Sequence, residues 1–335
     1  MVIGNTPLFF CRKVGVQVKA KEDMKRNASI EFYRVMLMFG ICFLHAVGFG
    51  GHGEPWVCNV FASCVVGFVF ISGWFGVRFS WGKIAKLYGV GMYAAVVFGI
   101  LVHVTGMAAD GGAAVAMAYN KLVHGFWFLH AYVLMMCLAP LVDAGVEKGG
   151  AMAILPLLAV VWLWGFGLTL PWFETHLPKT NGLDAYGGLT LTAIYAAARL
   201  CRKWRVEARL RMRWLLPAVP VLCALTGVGF GDYNSPFAFA LAGVCFLIVS
   251  RLTLPTWLGK VVLALSPSLF AVYLLHTNEV GFGCFKPLEA CLVGWGIPVA
   301  GAWMGAALVV FFCASALDLP RRALVAVTKR LRKDA

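Results

Sequence analysis

Charge is what this chain has least of. Only 13% of its 335 residues are Asp, Glu, Lys or Arg, and acids are the scarcer sign, 15 against 29 Lys and Arg. A soluble domain carries about 25% charged residues, so a globule with a charged, water-facing shell is excluded. The eleven cysteines form no CxxC pair, which excludes the common zinc-ribbon and dithiol frameworks. No Walker phosphate loop and no metal-ligand signature occurs. A signal peptide is missing by pattern: Phe9 and Phe10 begin no sustained apolar core, and no small-residue cleavage site follows. Residues 1–26 read instead as a short basic tail, in which Met24 offers a second start.

In place of charge there is apolar length. Hydrophobic residues make up 61% of the chain, in runs of the ~20 residues needed to cross a bilayer. The pattern predicts an all-α polytopic membrane protein, a single bundle of about ten transmembrane helices at 30–50, 56–77, 83–105, 125–143, 150–170, 182–200, 213–231, 235–252, 258–278 and 294–315. The membrane domain then occupies 27–318, with basic tails at 1–26 and 319–335. With the N-terminus inside, every Lys and Arg except Arg34, Lys121, Lys179 and Lys286 falls on the inner side. By the positive-inside rule this orients the chain in a cell membrane with both termini cytoplasmic. The net charge of +14 follows from topology and contact with anionic lipid, not from a nucleic-acid partner. Cys284 and Cys291 fall in one outer loop and are a candidate disulfide if that side is oxidising.

The first span holds the strongest chemical signal. Glu31, Arg34 and His45 lie in an otherwise apolar stretch from Asn27 to Phe49, where an ionisable group costs about 2.5–3.5 kcal/mol on insertion scales. Arg34 and His45 are about three turns apart, on one face, separated by roughly 16 Å along the axis. Glu31 stands at the i,i+3 spacing that pairs opposite charges. Charges snorkelling from a helix end account for Glu31 and Arg34 but not for His45.

Other residues fall around that stripe. All seven histidines lie in the outer half of this topology, and nearly all cations at the inner face. His124, Trp127 and His130 share one face of the fourth span, although Trp127 alone reads as an interfacial belt residue. Tyr273, His276 and Glu279 close the ninth span, where Glu279 at i,i+3 is placed to orient the His276 imidazole, unless this is simply a hydrated helix end. Ser266-Pro267 should kink that span. Arg78, Lys83 and Lys86 form an inner cationic group. Asp143, Glu147 and Lys148 read as a plain inner turn, and Arg199–Arg213 as a topology determinant first and a phosphate site second. Between the third and fourth spans the moderately apolar Ala113–Tyr119 is too short to cross and reads as an outer loop or a re-entrant or interfacial segment, and the loop Pro171–Asp184 is polar and aromatic.

Several motifs carry a resemblance. Ser29-Ile30-Glu31-x-x-Arg34, with ten residues between Arg34 and His45, Phe70-Ile71-Ser72-Gly73-Trp74-Phe75, Trp127-Phe128-Leu129 through Tyr132 to Pro140-Leu141, and Tyr273-Leu274-Leu275-His276 occur in that order. The set resembles the acyltransferase 3 family, membrane enzymes that move acyl groups, usually acetyl, from cytoplasmic acyl-CoA onto sugars outside the membrane. The resemblance implies acyl-CoA as co-substrate, no metal and a carbohydrate acceptor. Lys83-x-x-Lys86 stands where the family often has R-x-x-R for the coenzyme, and Arg78 is beside it. His45 is then a general base or the carrier of a transient acyl-imidazole, with Arg34 in the entrance and Glu31 holding it. Trp127, His130, Tyr273, His276 and Glu279 are the acceptor-side candidates. A transporter or flippase would also keep ionisable residues in its spans, but the sequence shows no inverted repeat and no paired broken helices.

Overall fold

The computed structural model describes residues 27–162, 186–230 and 233–334, and every regular element among them is helical. This is the expected outcome for a chain in lipid, where backbone polar groups must be satisfied within the segment. Six helices are long and apolar enough to cross a membrane, and two shorter apolar ones, Met212–Val228 and Pro236–Val249, accompany them.

Helix α1 (Ala28–Phe49) begins where the Asn27 side chain accepts the Ser29 N–H at 2.9 Å, and it carries Glu31 in its first turn. Helices α2 (Pro55–Phe75) and α3 (Trp81–Val104) follow. Residues 106–125 fold as a short α4 (Gly111–Asn120) and a π-helical turn (Lys121–Gly125). At 1.5 Å per residue α4 is only about 15 Å long, well short of a bilayer.

The expected fourth and fifth spans are two helices that meet at a kink at Gly150, where φ is 60° and ψ −140°, and are labelled together α5 (Trp127–Ala159). The reading of Asp143, Glu147 and Lys148 as a plain turn is therefore corrected: all three are helical. Asp143 accepts from Tyr195 Oη at 2.9 Å and Arg199 Nε at 2.8 Å on α6 (Gly188–Lys203). That ion pair fastens α5 to α6. Helices α7 (Met212–Leu225) and α8 (Pro236–Val249) come next. The ninth span is kinked as expected: α9 (Thr256–Leu265) and α10 (Leu269–His276) flank a 3-10 turn at Ser266–Ser268.

Residues 279–294, read from sequence as an outer loop, form helix α11 (Glu279–Gly294), with Asn278 Oδ1 capping the Gly281 N–H at 2.9 Å. Cys284 and Cys291 thus sit seven residues apart on one helix, about 10 Å along its axis, beyond the ~7 Å Cα separation a disulfide spans. Both are free thiols. Helix α12 (Val299–Leu317) completes the bundle, and the basic C-terminal tail is itself a helix, α13 (Leu319–Asp334).

Helix α1 is the central post, packed against α2, α8, α9, α10, α11 and α12. Gly73 lets α2 lie directly on α6: a Cβ there would meet the Tyr195 carbonyl oxygen at 2.5 Å. The bundle has two chemically distinct ends. At one, Ser29 Oγ donates to Leu252 O at 2.6 Å, and Arg251 donates to Glu207 O at 2.6 Å and Leu210 O at 2.7 Å. At the other, the buried Glu289 carboxylate accepts from Gly51 N at 2.6 Å and meets His52 Nδ1 at 2.5 Å. The candidate loop Pro171–Asp184 and the N-terminal tail with Met24 lie outside the described residues.

Candidate active site

A cavity of about 240 Å³ opens between α1, α2, α5 and α10. Its polar lining includes Glu31, Arg34, Ser72, Tyr132 and Tyr273; Met38, Ile41, Phe128 and Leu269 supply much of the apolar wall. Arg34 Nη1 donates to Glu31 Oε1 at 2.8 Å, so the i,i+3 pair read from sequence is formed. The Glu31 side chain is 6% exposed and that of Arg34 37%, so the carboxylate backs the guanidinium while the guanidinium faces the cavity. Ser72 Oγ donates to Phe68 O at 3.0 Å, which leaves its oxygen to accept from Tyr132 Oη at 3.0 Å. A slot with one cationic end and an apolar body suits a thin chain that carries anionic groups at one extremity.

Ile41 and Tyr273 stand at the far end of that lining. One turn beyond each come His45 and His276, and their rings meet: His45 Nδ1 lies 3.0 Å from His276 Nε2. His276 is buried and its Nδ1 lies 2.6 Å from Val272 O, one turn back on its own helix; His45 is half-buried. Above the pair, Phe49 stacks on Phe282 with centroids 4.0 Å apart and planes 13° apart. Both rings contact His45, at 5.9 and 5.1 Å. The imidazoles therefore occupy a layer between the cavity and an aromatic stack.

The remaining sequence candidates separate into groups. The proposed His276–Glu279 partnership does not form. Asn278 starts a new helix between them, so the i,i+3 geometry of one helix is lost, and Glu279 Oε1 takes Lys121 Nζ at 3.2 Å instead. His130 has both ring nitrogens occupied, by Tyr88 Oη at 3.2 Å and Leu122 O at 3.0 Å, and it ties the π-helical turn to α3 and α5. Trp127 stacks on Tyr233 at 5.5 Å and meets Tyr186 edge-on at 4.8 Å, a separate aromatic cluster. Arg78, Lys83 and Lys86 lie exposed around the α2–α3 turn, with Lys83 Nζ donating to Arg78 O at 2.9 Å. Leu87, the neighbour of Lys86, lines the cavity.

Sequence reasoning ranks one cationic group too low and misses one pairing. Arg202 lies 5.3 Å over the Trp74 ring and Arg199 lies against Gly76, so the end of α6, whose secondary reading is a phosphate site, adds cations beside the Arg78 group. Ser72 and Tyr132 stand in the sequence only as members of two separate motifs. A single hydroxyl in each of two apolar helices gives no hint of pairing. Among the described residues no three His, Cys, Asp or Glu side chains are grouped to hold a metal ion.

Comparison with curated proteins and with solved structures returns no match. A family model described as an acyltransferase domain, Acyl_transf_3, matches residues 27–318. That span begins at the N-cap of α1, ends just before α13, and contains the cavity, Arg34 and both paired imidazoles. On that coverage, the chain belongs to the acyltransferase 3 family.

Proposed function

We propose that the protein transfers an acyl group, acetyl foremost, from acyl-CoA at the basic end of the bundle to a hydroxyl of a carbohydrate acceptor, a cell-surface polysaccharide or glycolipid, at the histidine end. The positive-inside rule makes the basic end, with both termini, cytoplasmic. The observation that carries this reading is the cavity with Arg34 at its basic end and His45 one turn past its far end. The two stand roughly 16 Å apart along α1, a distance suited to the pantetheine arm of coenzyme A. The coenzyme phosphates are met by Arg78, Lys83 and Lys86, with Arg199 and Arg202 nearby. Arg34, braced by Glu31, attracts the donor's anionic portion into the slot.

His45 is the general base. A neutral imidazole takes the acceptor's hydroxyl proton as the oxygen attacks the thioester carbonyl. The C–O bond forms, the C–S bond breaks, and the same proton passes to the departing thiolate, so ester and free thiol leave in balance. Trp127 and Tyr273 supply the acceptor side.

The test uses purified protein in lipid vesicles with labelled acetyl-CoA and candidate glycan acceptors. Changing His45→Ala should lower transfer by about 10²–10⁴-fold while expression and insertion stay normal. Full transfer by that variant would remove His45 from the chemistry. Movement of unmodified solute into the vesicles, without acylation, would replace the enzyme reading with that of a transporter.

A further inference from the structure

We infer that His276 is a positioning residue: its contact with His45 holds that imidazole as the Nδ1–H tautomer and leaves Nε2 as the bare nitrogen that takes the acceptor's proton. The inference rests on the general-base reading of His45 and deepens it.

Val272 O has no hydrogen to give, so His276 Nδ1, 2.6 Å away, is the donor and carries its proton there. His276 is 1% exposed. Among the described residues, the two carboxylates of α11 are committed elsewhere, Glu279 to Lys121 and Glu289 to His52 and Gly51. A second proton would put an uncompensated charge in a buried site, which is costly. His276 Nε2 is therefore an acceptor. His45 Nδ1, 3.0 Å from it, must donate, and a neutral ring protonated at Nδ1 is bare at Nε2.

The anchor is itself held. Thr277 Oγ1 donates to Tyr273 O at 2.8 Å, Asn278 Nδ2 donates to Leu275 O at 2.6 Å, and Asn278 Oδ1 begins the next helix. The second nitrogen of His276 is spent on a residue 231 positions away in the chain. During transfer, Nε2 of His45 receives the hydroxyl proton and later releases it to the thiolate. Nδ1–H keeps its bond to His276 throughout, and His276 touches no reacting atom.

Two variants and one spectrum test this. In His276→Phe, kcat should fall about 10²-fold, with KM for both substrates within about twofold, because an unoriented base loses most of its acid–base contribution. In His276→Gln the amide oxygen can accept from Nδ1–H, and kcat should recover to within about tenfold of wild type. Nitrogen-15 NMR of histidine-labelled wild-type protein in nanodiscs should show His45 protonated at Nδ1, and His45→Ala assigns the signal. Wild-type kcat in His276→Phe, no advantage of Gln over Phe, or a proton found on Nε2 of His45 would each overturn the inference. If His45→Ala retained transfer, the general-base reading would have failed instead, whereas the tautomer in the spectrum is read without any turnover.

Discussion

Arg34 and His45 stand on the same helix, eleven residues apart, and are held in opposite ways. Arg34 is braced by Glu31, three residues earlier, at 2.8 Å. Its partner arrives with the helix itself, and the pair forms wherever α1 forms. His45 depends on His276, delivered by α10 from the far side of the sequence. The first arrangement is local and partly open to the cavity; the second is tertiary and enclosed. The donor end should therefore absorb change that the base end cannot.

The sharpest way to break that contrast is to disturb the base end without touching either imidazole. Gly281 sits so close to α10 that a Cβ would meet the His276 carbonyl oxygen at 2.3 Å and its Cα at 2.8 Å. Something must shift, and backbone atoms give way reluctantly. Gly281→Ala should lower kcat by about 10–100-fold, since small misplacements of catalytic groups carry penalties of that order, while KM for acyl-CoA stays unchanged. Steady-state kinetics on folded variant decides it; wild-type kcat would erase the distinction between the two ends.

A milder change addresses the local end. Glu31→Gln keeps the shape but removes the charge that steadies Arg34. The expected result is a KM for acyl-CoA raised about fivefold, equivalent to about 1 kcal/mol, with kcat within about twofold. A collapse of kcat equal to that of the His45 variant would mean the donor end is as exacting as the base end.

The smallest effect on transfer should come from Glu289, a second tertiary tie beside the imidazole pair that makes no contact with it in the hydrogen-bond network. Glu289→Ala leaves the Gly51 N–H and the His52 ring without their acceptor. It should destabilise the fold by about 1–3 kcal/mol, seen as a lower thermal midpoint in detergent, with kcat within about twofold of wild type. A large loss of transfer at unchanged stability would extend the base-end network to Glu289.

How much was legible follows the same division. The apolar runs announced the spans, Ser266-Pro267 announced the break between α9 and α10, and the spacing of Glu31 and Arg34 announced their pairing. Helix α11 was missed because glycine, lysine, proline and glutamate interrupt its apolar run. Its readable signal was the cap residue Asn278 followed by Glu279 in the first turn. That same cap explains the failed His276–Glu279 pairing: an i,i+3 argument holds within one helix and lapses across a boundary. Asp143 looked like a turn residue because nothing local reveals that Tyr195 and Arg199 will meet it.

By itself, the amino-acid sequence determined the helical membrane class, the polarity between basic and histidine ends, and the placing of Arg34 and His45 on one face. Hydropathy, charge and helical periodicity are properties of neighbouring residues, so they can be read in a line. Which imidazole meets which was decided only by the tertiary structure. A hydrogen bond of 3.0 Å between α1 and α10 depends on how separate helices pack, and packing is a property of the whole bundle.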